Sequence, residues 1–380
     1  MTSPAELHAR SMIVDLHAHP TMKTYFGDAE LKTRYTPGPG MNPFELRTSH
    51  PSLVAGGIDV LWSSVYVPEQ YLKKDCWVMD VVAAFSPHLR EAFESPADTI
   101  AEKMIRHMEV QVEAVNDTKP AREMAVVKSN ADLDVALRDG KIAVIHTIEG
   151  AHALNGDVAN VERFKQLGVA SITLAHFYPN GIAPPVEGIP KDVSLRLLGC
   201  FRFEEDVSLG LTTLGKEVVE EMLRLGVVVD LTHCTPRARE DAYAIAQGKG
   251  RPLTFTHVGA YEARPADMNP KDPEIRAIAD LGGVIGVIFY DYWLTIQKYA
   301  GSDKLKHIIP NVDHLVRVGG EDVVAFGSDF DGMTDPPDDL TEPAEWPNLT
   351  AALASEGFSD AQIEKFLGGN ARRMMRDAWG

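Results

Sequence analysis

Seven histidine and acidic residues, each following a short apolar run, have the chemistry of a site for divalent metal ions. They are His17, His19, Glu149, His176, His233, His257 and Asp329. Imidazole nitrogens and carboxylate oxygens are ligands that zinc and similar ions take in proteins. In His17-Ala18-His19 the two-residue spacing puts both imidazoles on one face of a strand. One carboxylate can bridge two ions about 3.5–4 Å apart, and Glu149 is predicted to do so.

Such a site favours hydrolysis of an amide or ester. A metal ion lowers the pKa of its bound water toward about 7, so that a metal-bound hydroxide exists at neutral pH. A nearby carboxylate can take the proton of the water and deliver it to the leaving group, and we predict this role for Asp329. Singly, each of the seven residues could have an ordinary role, as a packed histidine, a loop carboxylate or a turn former. Chance would not place all of them at strand ends, so the metal site is the better interpretation.

The elements that must position these residues are eight short apolar runs. Most are continuous Val, Ile and Leu stretches, which is typical of strands buried on both faces of a parallel sheet. The predicted strands cover 12–16, 58–65, 142–148, 170–174, 227–231, 253–255, 284–289 and 323–327.

Amphipathic segments alternate with these strands. Residues 214–225 have helical spacing and stop at Gly226, and Thr235-Pro236 is a helix-start signal. The alternation predicts an α/β fold, and the eight repeats predict a closed (β/α)₈ TIM barrel. Active sites of such barrels lie at the C-terminal ends of the strands, so all seven residues would face one mouth.

One barrel domain is predicted over 1–380, because no low-complexity tract or linker divides the chain. The stretch at about 68–132 exceeds one crossover and is predicted to be a helical insertion, and a C-terminal helix is predicted at about 359–379. Residues 179–207 are predicted to form a long loop after the fourth strand.

Composition limits the partners. With 37 basic and 55 acidic residues, the formal net charge is -18, which disfavours nucleic acids and anionic membrane surfaces. A small-molecule substrate is the expected partner. The N-terminus lacks the pattern of a signal peptide, and no apolar run approaches the roughly 20 residues of a membrane helix, so a cytoplasmic location is expected.

The cysteines and two further histidines are assigned lesser roles. Cys76, Cys200 and Cys234 are far apart and odd in number, so no disulfide is expected, and Cys234 is interpreted as a packed thiol. His146 lies inside the third predicted strand and is interpreted as structural. His152 either supports the metal ligands through a hydrogen bond or does not contact them.

With these motifs in hand, the chain resembles the membrane dipeptidase (renal dipeptidase) family of the amidohydrolase superfamily. The likeness runs from Val14 almost to the C-terminus. It is carried, in order, by Ile148-Glu149-Gly150-Ala151-His152, Leu174-Ala175-His176, Asp230-Leu231-Thr232-His233, Phe255-Thr256-His257, the stretch 283–290, Gly327-Ser328-Asp329-Phe330-Asp331-Gly332 and Leu367-Gly368-Gly369-Asn370.

The resemblance implies a binuclear zinc peptidase that cleaves dipeptides with little demand on the stereochemistry of the second residue. It implies that His17 and His19 hold one ion, that His233 and His257 hold the other, and that Glu149 bridges them. It further implies that His176 binds the tetrahedral intermediate, Asp329 relays the proton and Tyr290 lines the substrate pocket. By analogy with related barrels, a homodimer is possible.

Two features depart from the family pattern. The first motif is His-x-His where the dipeptidases have His-x-Asp, an exchange that keeps a ligand and removes a negative charge. The family also has an arginine about a dozen residues after the sixth-strand histidine, which grips the substrate carboxylate, whereas the nearest arginine here, Arg264, comes early. Either Arg264 reaches through a shortened loop, or the substrate is another amide, N-acyl amino acid or lactone without a free C-terminal carboxylate.

Overall fold

The structure, a computed structural model, describes residues 2–40, 42, 45–189, 200, 205–296 and 305–379. Nine parallel strands lie in these ranges. They are β1 Val14–Ala18, β2 Val60–Tyr66, β3 Met124–Val126, β4 Ile142–Glu149, β5 Val169–Thr173, β6 Val228–Asp230, β7 Leu253–Val258, β8 Val284–Val287 and β9 Val324–Phe326. Eight of them follow one another in the order β1-β2-β4-β5-β6-β7-β8-β9.

The sheet closes on itself between its first and last strands. Ala18 and Phe330 form a parallel bridge just beyond β9. The backbone N–H of Asp329 donates to the carbonyl oxygen of His17, and that of His19 to the carbonyl oxygen of Phe330, both at 2.8 Å. The predicted (β/α)₈ barrel is therefore confirmed, and all eight predicted strands are present.

Strand β3 was not predicted. It is three residues long, flanked by Glu123 and Lys128, and pairs only with β4 at one side of the barrel path. A strand this short has too little apolar sequence to stand out from its surroundings.

Helices cover the outside of the barrel between the strands. In chain order they are α1 Pro4–Arg10, α2 Pro20–Phe26, α3 His50–Ala55, α4 Gln70–Asp75, α5 Trp77–Phe85, α6 Pro87–Glu94, α7 Ala97–Asn116, α8 Asn130–Arg138, α9 Ala159–Gln166, α10 Thr213–Leu225, α11 Pro236–Ala246, α12 Asp272–Asp280, α13 Asp291–Leu294, α14 Leu305–Gly319, α15 Trp346–Ser355, α16 Asp360–Glu364 and α17 Asn370–Ala378. A single π-helical turn, Lys365–Gly369, joins α16 to α17.

The structure has the two helix ends that the sequence predicts. The Thr235 hydroxyl accepts from the backbone N–H of Ala238 at the start of α11, with Pro236 in the first turn. Helix α10 ends at Gly226, whose φ of 72° lies in the left-handed region that glycine adopts without strain.

The two faces of the strands pack against different partners. Val60 and Trp62 of β2 belong to a cluster that includes alternate residues of the other strands and Met374 and Trp379 near the C-terminus. Leu61, between them, belongs to the larger cluster shared with the helices. One strand face therefore fills the barrel and the other supports the helical layer, which explains the continuous apolar runs.

The expectation about cysteine pairing is wrong. Cys76, between α4 and α5, forms a disulfide with Cys200, which is 124 residues away in sequence. Folding brings these two cysteines together, and their sequence spacing does not indicate the pairing. Cys234 is a free, buried thiol, as predicted. Disulfides are typical of oxidising compartments, so this bond does not support the cytoplasmic expectation.

None of the helices in the described ranges combines the length and apolar character needed to cross a membrane.

Candidate metal centre

Four imidazoles surround the carboxylate of Glu149 at the end of β4. The Nε2 atoms of His17, His233 and His257 each lie 3.3 Å from Glu149 Oε1. The Nε2 atom of His19 lies 3.2 Å from Oε2. All five side chains are buried. The structure thus brings together the five residues predicted to be metal ligands, from four different strand ends.

Irregularities in two strands direct these side chains inward. The register of β1 against β2 shifts between Asp15 and Ala18, and that of β7 against β8 shifts between Phe255 and Val258. A bulge breaks the alternation of a strand and can turn consecutive residues to one side. In β7 this allows Thr256 and His257 to approach each other, with the Thr256 hydroxyl 3.0 Å from His257 Nδ1.

The spacing of the donor atoms suits two metal ions. His17 and His19 have their Nε2 atoms 3.0 Å apart, and His233 and His257 have theirs 3.2 Å apart. Two nitrogens at about 2.0–2.1 Å from one tetrahedral zinc ion are about 3.3–3.4 Å apart, and both observed separations lie within about 0.3 Å of that range. Each pair, with Glu149, forms a group of potential ligand atoms within 4.8 Å of one another.

The hydrogen-bond partners of Glu149 and the surrounding histidines also fit a bound cation. One carboxylate oxygen, Glu149 Oε1, has three imidazole nitrogens at 3.3 Å, more than its lone pairs can accept in good geometry. The outer ring nitrogens, His19 Nδ1 and His233 Nδ1, are buried and have no partner within the described residues. These residues therefore fit a pair of divalent ions better than a purely hydrogen-bonded cluster.

Charge governs the protonation of Glu149. Burial alone would raise the pKa of Glu149, but the positive charges of His176, His17 and His19 together outweigh burial and hold the pKa well below its ordinary value. Burial lowers the pKa of His17, yet attraction to Glu149 and Asp329 outweighs it and raises that pKa to about 9. The cluster favours a carboxylate anion at its centre, as a bridging ligand requires.

Asp329 lies at the barrel seam beside the first pair of histidines. Its Oδ1 is 3.5 Å from His19 Nε2 and 4.0 Å from His17 Nε2. Burial raises the pKa of Asp329 to about 8; attraction to His17 opposes this and the negative charge of Glu149 adds to it. A carboxyl group with this pKa can both take and release a proton near neutral pH.

The backbone is strained where two of these residues sit. His233 has φ 67° and Asp329 has φ 55°, in the left-handed region that costs a residue with a side chain about 1–3 kcal/mol. Close approach accompanies the Asp329 turn, since a Cβ at Gly332 would lie 1.9 Å from Asp329 Oδ1. Such strain clusters at functional sites because the surrounding structure holds side chains in the geometry that function requires.

His176 is held between two carboxylates. Its Nε2 is 3.3 Å from Glu149 Oε2, and its Nδ1 is 3.2 Å from Glu69 Oε1. Burial lowers the pKa of His176, but Glu149 and Glu69 outweigh this and raise it. Glu69 also accepts from the Tyr66 hydroxyl and from the backbone N–H of Phe177 at 3.0 Å.

The sequence analysis did not identify Glu69 or Tyr66. Tyr66 ends β2 and Glu69 follows three residues later. Active sites of such barrels lie at the C-terminal ends of the strands, and this rule, applied to β2, could have found both residues.

Aromatic side chains from the segment after β8 border the cluster. The Trp293 ring stacks on His257 with centroids 5.9 Å apart and meets His233 edge-on at 5.3 Å. Tyr290, predicted to line the pocket, is half-buried, with its ring 6.0 Å from that of Tyr292. Trp293 thus contacts two of the histidine rings, a role that was not predicted from the sequence.

Arg264 lies over the face of Tyr292, with its guanidinium carbon 4.9 Å from the ring centroid. Its Nε is buried without a hydrogen-bond partner among the described residues. The loop that carries it is fixed by Asn269, whose side-chain amide donates to the carbonyl oxygens of Arg264 at 3.1 Å and Trp293 at 2.7 Å. The backbone of Arg264 is therefore held in place, and its Nε–H group remains available to donate a hydrogen bond.

Two histidines outside the cluster have other roles. His152 Nε2 pairs with the carbonyl oxygen of Val67 at 2.6 Å, so it fixes the chain near Glu69 rather than a ligand imidazole. His146 is fully buried in β4, and neither ring nitrogen has a partner in the described part of the chain.

A closed α/β barrel with histidine and carboxylate donors gathered at the carboxyl ends of its strands has the arrangement of a metal-dependent hydrolase. The sequence profile of the membrane dipeptidase family (peptidase family M19) matches residues 1–379. The chain belongs to this family and is a hydrolase.

Individual relatives agree with this assignment. The uncharacterized protein in the pqqA 5′ region of Klebsiella pneumoniae is 31% identical over 264 residues, which are 68% of this chain and 90% of that protein. Dipeptidase tcpJ of Claviceps purpurea (strain 20.1) is 32% identical over 244 residues, 63% of this chain and 52% of that protein, so the match spans about half of that relative.

A solved structure has the same fold. A metallopeptidase from Rhodobacter sphaeroides, liganded with a phosphinate mimic of the dipeptide L-Ala-D-Ala, superposes with a TM-score of 0.75 at 22% identity. The match covers 97% of this chain and 100% of that one.

Proposed function

We propose that this protein is a binuclear zinc dipeptidase. The observation that carries the proposal is the pairing of four imidazole nitrogens around one carboxylate: His17 with His19, and His233 with His257, with Glu149 between them. In this proposal each histidine pair holds one ion and Glu149 bridges the two. When bound, the ions supply Lewis acidity that makes hydroxide available from water near neutral pH.

The residues around this centre divide the remaining chemistry. Asp329, whose carboxylate oxygen is 3.5 Å from His19 Nε2, takes the proton of the attacking water and delivers it to the leaving amine. His176 donates from Nε2 to the oxygen of the tetrahedral intermediate, and Glu69 holds its ring in place through Nδ1. Closely placed, buried donors of this kind stabilise developing negative charge more than water does.

Arg264 would bind the C-terminal carboxylate of the dipeptide. The unpartnered Nε and the position of the guanidinium over Tyr292 support this role. An arginine already paired with an acidic side chain would have no such capacity, and no ion pair of Arg264 is seen in the described ranges. Tyr290, next to Tyr292, would line the same pocket.

A panel of L,L- and L,D-dipeptides assayed with zinc-loaded protein tests the activity. L-Ala-D-Ala belongs in the panel because the Rhodobacter sphaeroides protein is liganded with a mimic of it. We expect turnover that falls by at least about tenfold in kcat/KM when the C-terminus is amidated, since the carboxylate loses its charge-assisted hydrogen bonds. Absence of turnover on every dipeptide would refute the proposed activity.

The alternative substrates are amides, N-acyl amino acids or lactones without a free terminal carboxylate. The same panel separates the two possibilities when Arg264→Gln is included, with Arg276→Gln on the exposed face of α12 as control. Dipeptide cleavage predicts a higher KM for R264Q and an unchanged R276Q. Equal activity of wild type and R264Q on dipeptides, with faster turnover of uncharged amides, would favour the alternative.

A further inference from the structure

The hydroxyl group of Thr256, on β7, has every hydrogen-bonding position occupied. It donates to Asp230 Oδ2 at 2.6 Å, because a carboxylate without a proton can only accept. It lies 3.2 Å from His17 Nδ1 and 3.0 Å from His257 Nδ1. A hydroxyl has one proton and two lone pairs, so with its proton on Asp230 it accepts from both imidazoles.

Asp230 is anchored so that it cannot turn away from Thr256. Its Oδ1 accepts from the backbone N–H of Thr232 and the Thr232 hydroxyl, at 3.0 and 2.7 Å, and from the backbone N–H of Thr256 at 3.1 Å. Its Oδ2 accepts from the Thr173 hydroxyl at 2.7 Å in addition to that of Thr256. One carboxylate therefore links the ends of β5, β6 and β7.

The backbone of Thr256 is enclosed as well. A Cβ at Gly286 would lie 1.9 Å from the Thr256 carbonyl oxygen, and a Cβ at Gly327 would lie 2.0 Å from it. The segments that contain Gly286 and Gly327 thus pack directly on this carbonyl, and any movement of the Thr256 backbone would have to shift both of them.

We propose that Thr256 is a positioning residue shared by both metal ions. It fixes the proton of His17 and of His257 on Nδ1, so that both Nε2 lone pairs point at the space beside Glu149. This inference rests on the proposed binuclear site, in which His17 belongs to one ion and His257 to the other. The two rings are also in contact, with centroids 3.8 Å apart and planes tilted by 39°, so one hydroxyl can orient both.

The variant Thr256→Val tests the role, because valine keeps the shape and removes the hydroxyl. Thr256→Ser keeps the hydroxyl, and Thr254→Val removes another buried hydroxyl of β7, one that donates to the carbonyl oxygen of Val284. Chelator competition gives the apparent Kd of each zinc equivalent. We expect T256V to weaken both equivalents by about 10–100-fold, T256S to restore them and T254V to leave them near wild type. Unchanged binding in T256V, or loss at one equivalent alone, would overturn the shared role.

The tautomers can be observed directly in metal-free wild-type protein by ¹⁵N NMR of the histidine rings. At a pH high enough that each ring carries a single proton, we expect that proton on Nδ1 of both His17 and His257, assigned with H17N and H257N, and a single proton on Nε2 of either would refute the inference. This measurement needs neither zinc nor a folded T256V. If wild type itself failed to bind two zinc equivalents while both tautomers were as expected, the proposed function would fail and the hydroxyl's role in orienting the rings would stand.

Discussion

Asp329 occupies a strained turn at the barrel seam, and its role can be separated from metal binding. Its Oδ1 is 3.5 Å from the nearest imidazole nitrogen, against 3.2–3.3 Å between Glu149 and its four histidines. We expect Asp329→Asn to lower kcat by about 10²–10⁴-fold, because the amide cannot accept the proton of the attacking water. Two zinc equivalents should remain in elemental analysis. Glu149→Gln is the contrasting variant, which should lose metal as well as activity.

His146 predicts a specific loss of stability in acid. Burial lowers the pKa of His146 to about 4, with attraction to Glu109 and repulsion from Lys128 as smaller effects. In the unfolded chain the pKa is about 6.5, so below that pH the unfolded state binds a proton that the folded state does not. The free energy of unfolding therefore falls as the pH drops from about 6.5 to about 4. Below about pH 4, His146 causes no further decrease.

The replacement His146→Leu should remove this contribution. Chemical denaturation at pH 7.5 and pH 4.5 should show a smaller loss of stability in H146L than in wild type, by up to about 3 kcal/mol, since each pKa unit corresponds to about 1.4 kcal/mol. Taking the difference between the two proteins cancels the acid-sensitive groups that do not interact with His146. Parallel pH dependences would contradict the assignment.

Residue roles were predictable from sequence where a strand end marked them. His17, His19, Glu149, His233 and His257 follow apolar runs, and barrel closure brings them together. Glu69 and Trp293 were missed because they follow the ends of β2 and β8 at a distance and belong to no histidine motif, and the role proposed for Thr256 depends on a hydroxyl geometry that only the folded chain defines. Arg264 was visible in the sequence, but its position over Tyr292 was not.

At the scale of the elements, the strands were predictable and their irregularities were not. Val, Ile and Leu runs specify strands buried on both faces. The register shifts in β1 and β7 arise from the fit between neighbouring strands, which a single run does not encode. These shifts matter for the site because they let Thr256 and His257, adjacent in sequence, approach each other beside Glu149.

The disulfide ties the segment between α4 and α5 to Cys200, and its presence can be measured. Unfolded, unreduced protein should show one reactive thiol, that of Cys234, and reduction should expose three. We expect Cys76→Ser to lower the free energy of unfolding by about 2–4 kcal/mol, because the cross-link restricts the unfolded chain over a long loop. Cys234→Ala is the control, which should show no thiol before reduction. Three thiols in air-oxidised wild type would refute the bond.

The net charge of the whole molecule and the buried cluster around Glu149 both favour the binding of divalent cations. A formal net charge of -18 favours the approach of divalent cations, an attraction that salt screens over a Debye length of about 8–10 Å. In the proposed site, buried imidazoles from β1, β6 and β7 and the carboxylate from β4 would enclose the cations, so metal binding should stabilise the closed barrel as a unit.

Metal removal should therefore lower the melting temperature. A ligand that binds only the folded state at one hundred times its Kd contributes about 2.7 kcal/mol, which for a chain of this size corresponds to a shift of about 3 °C per ion. Calorimetry before and after chelation, with metal content checked by elemental analysis, measures the shift, and added zinc should reverse it. In Glu149→Gln, which lacks the bridging carboxylate, zinc should raise the melting temperature much less. If verified metal-free wild type melted at the same temperature as the zinc-loaded protein, the convergence of imidazoles on Glu149 would not be a metal site, and the dipeptidase mechanism proposed for it would fail.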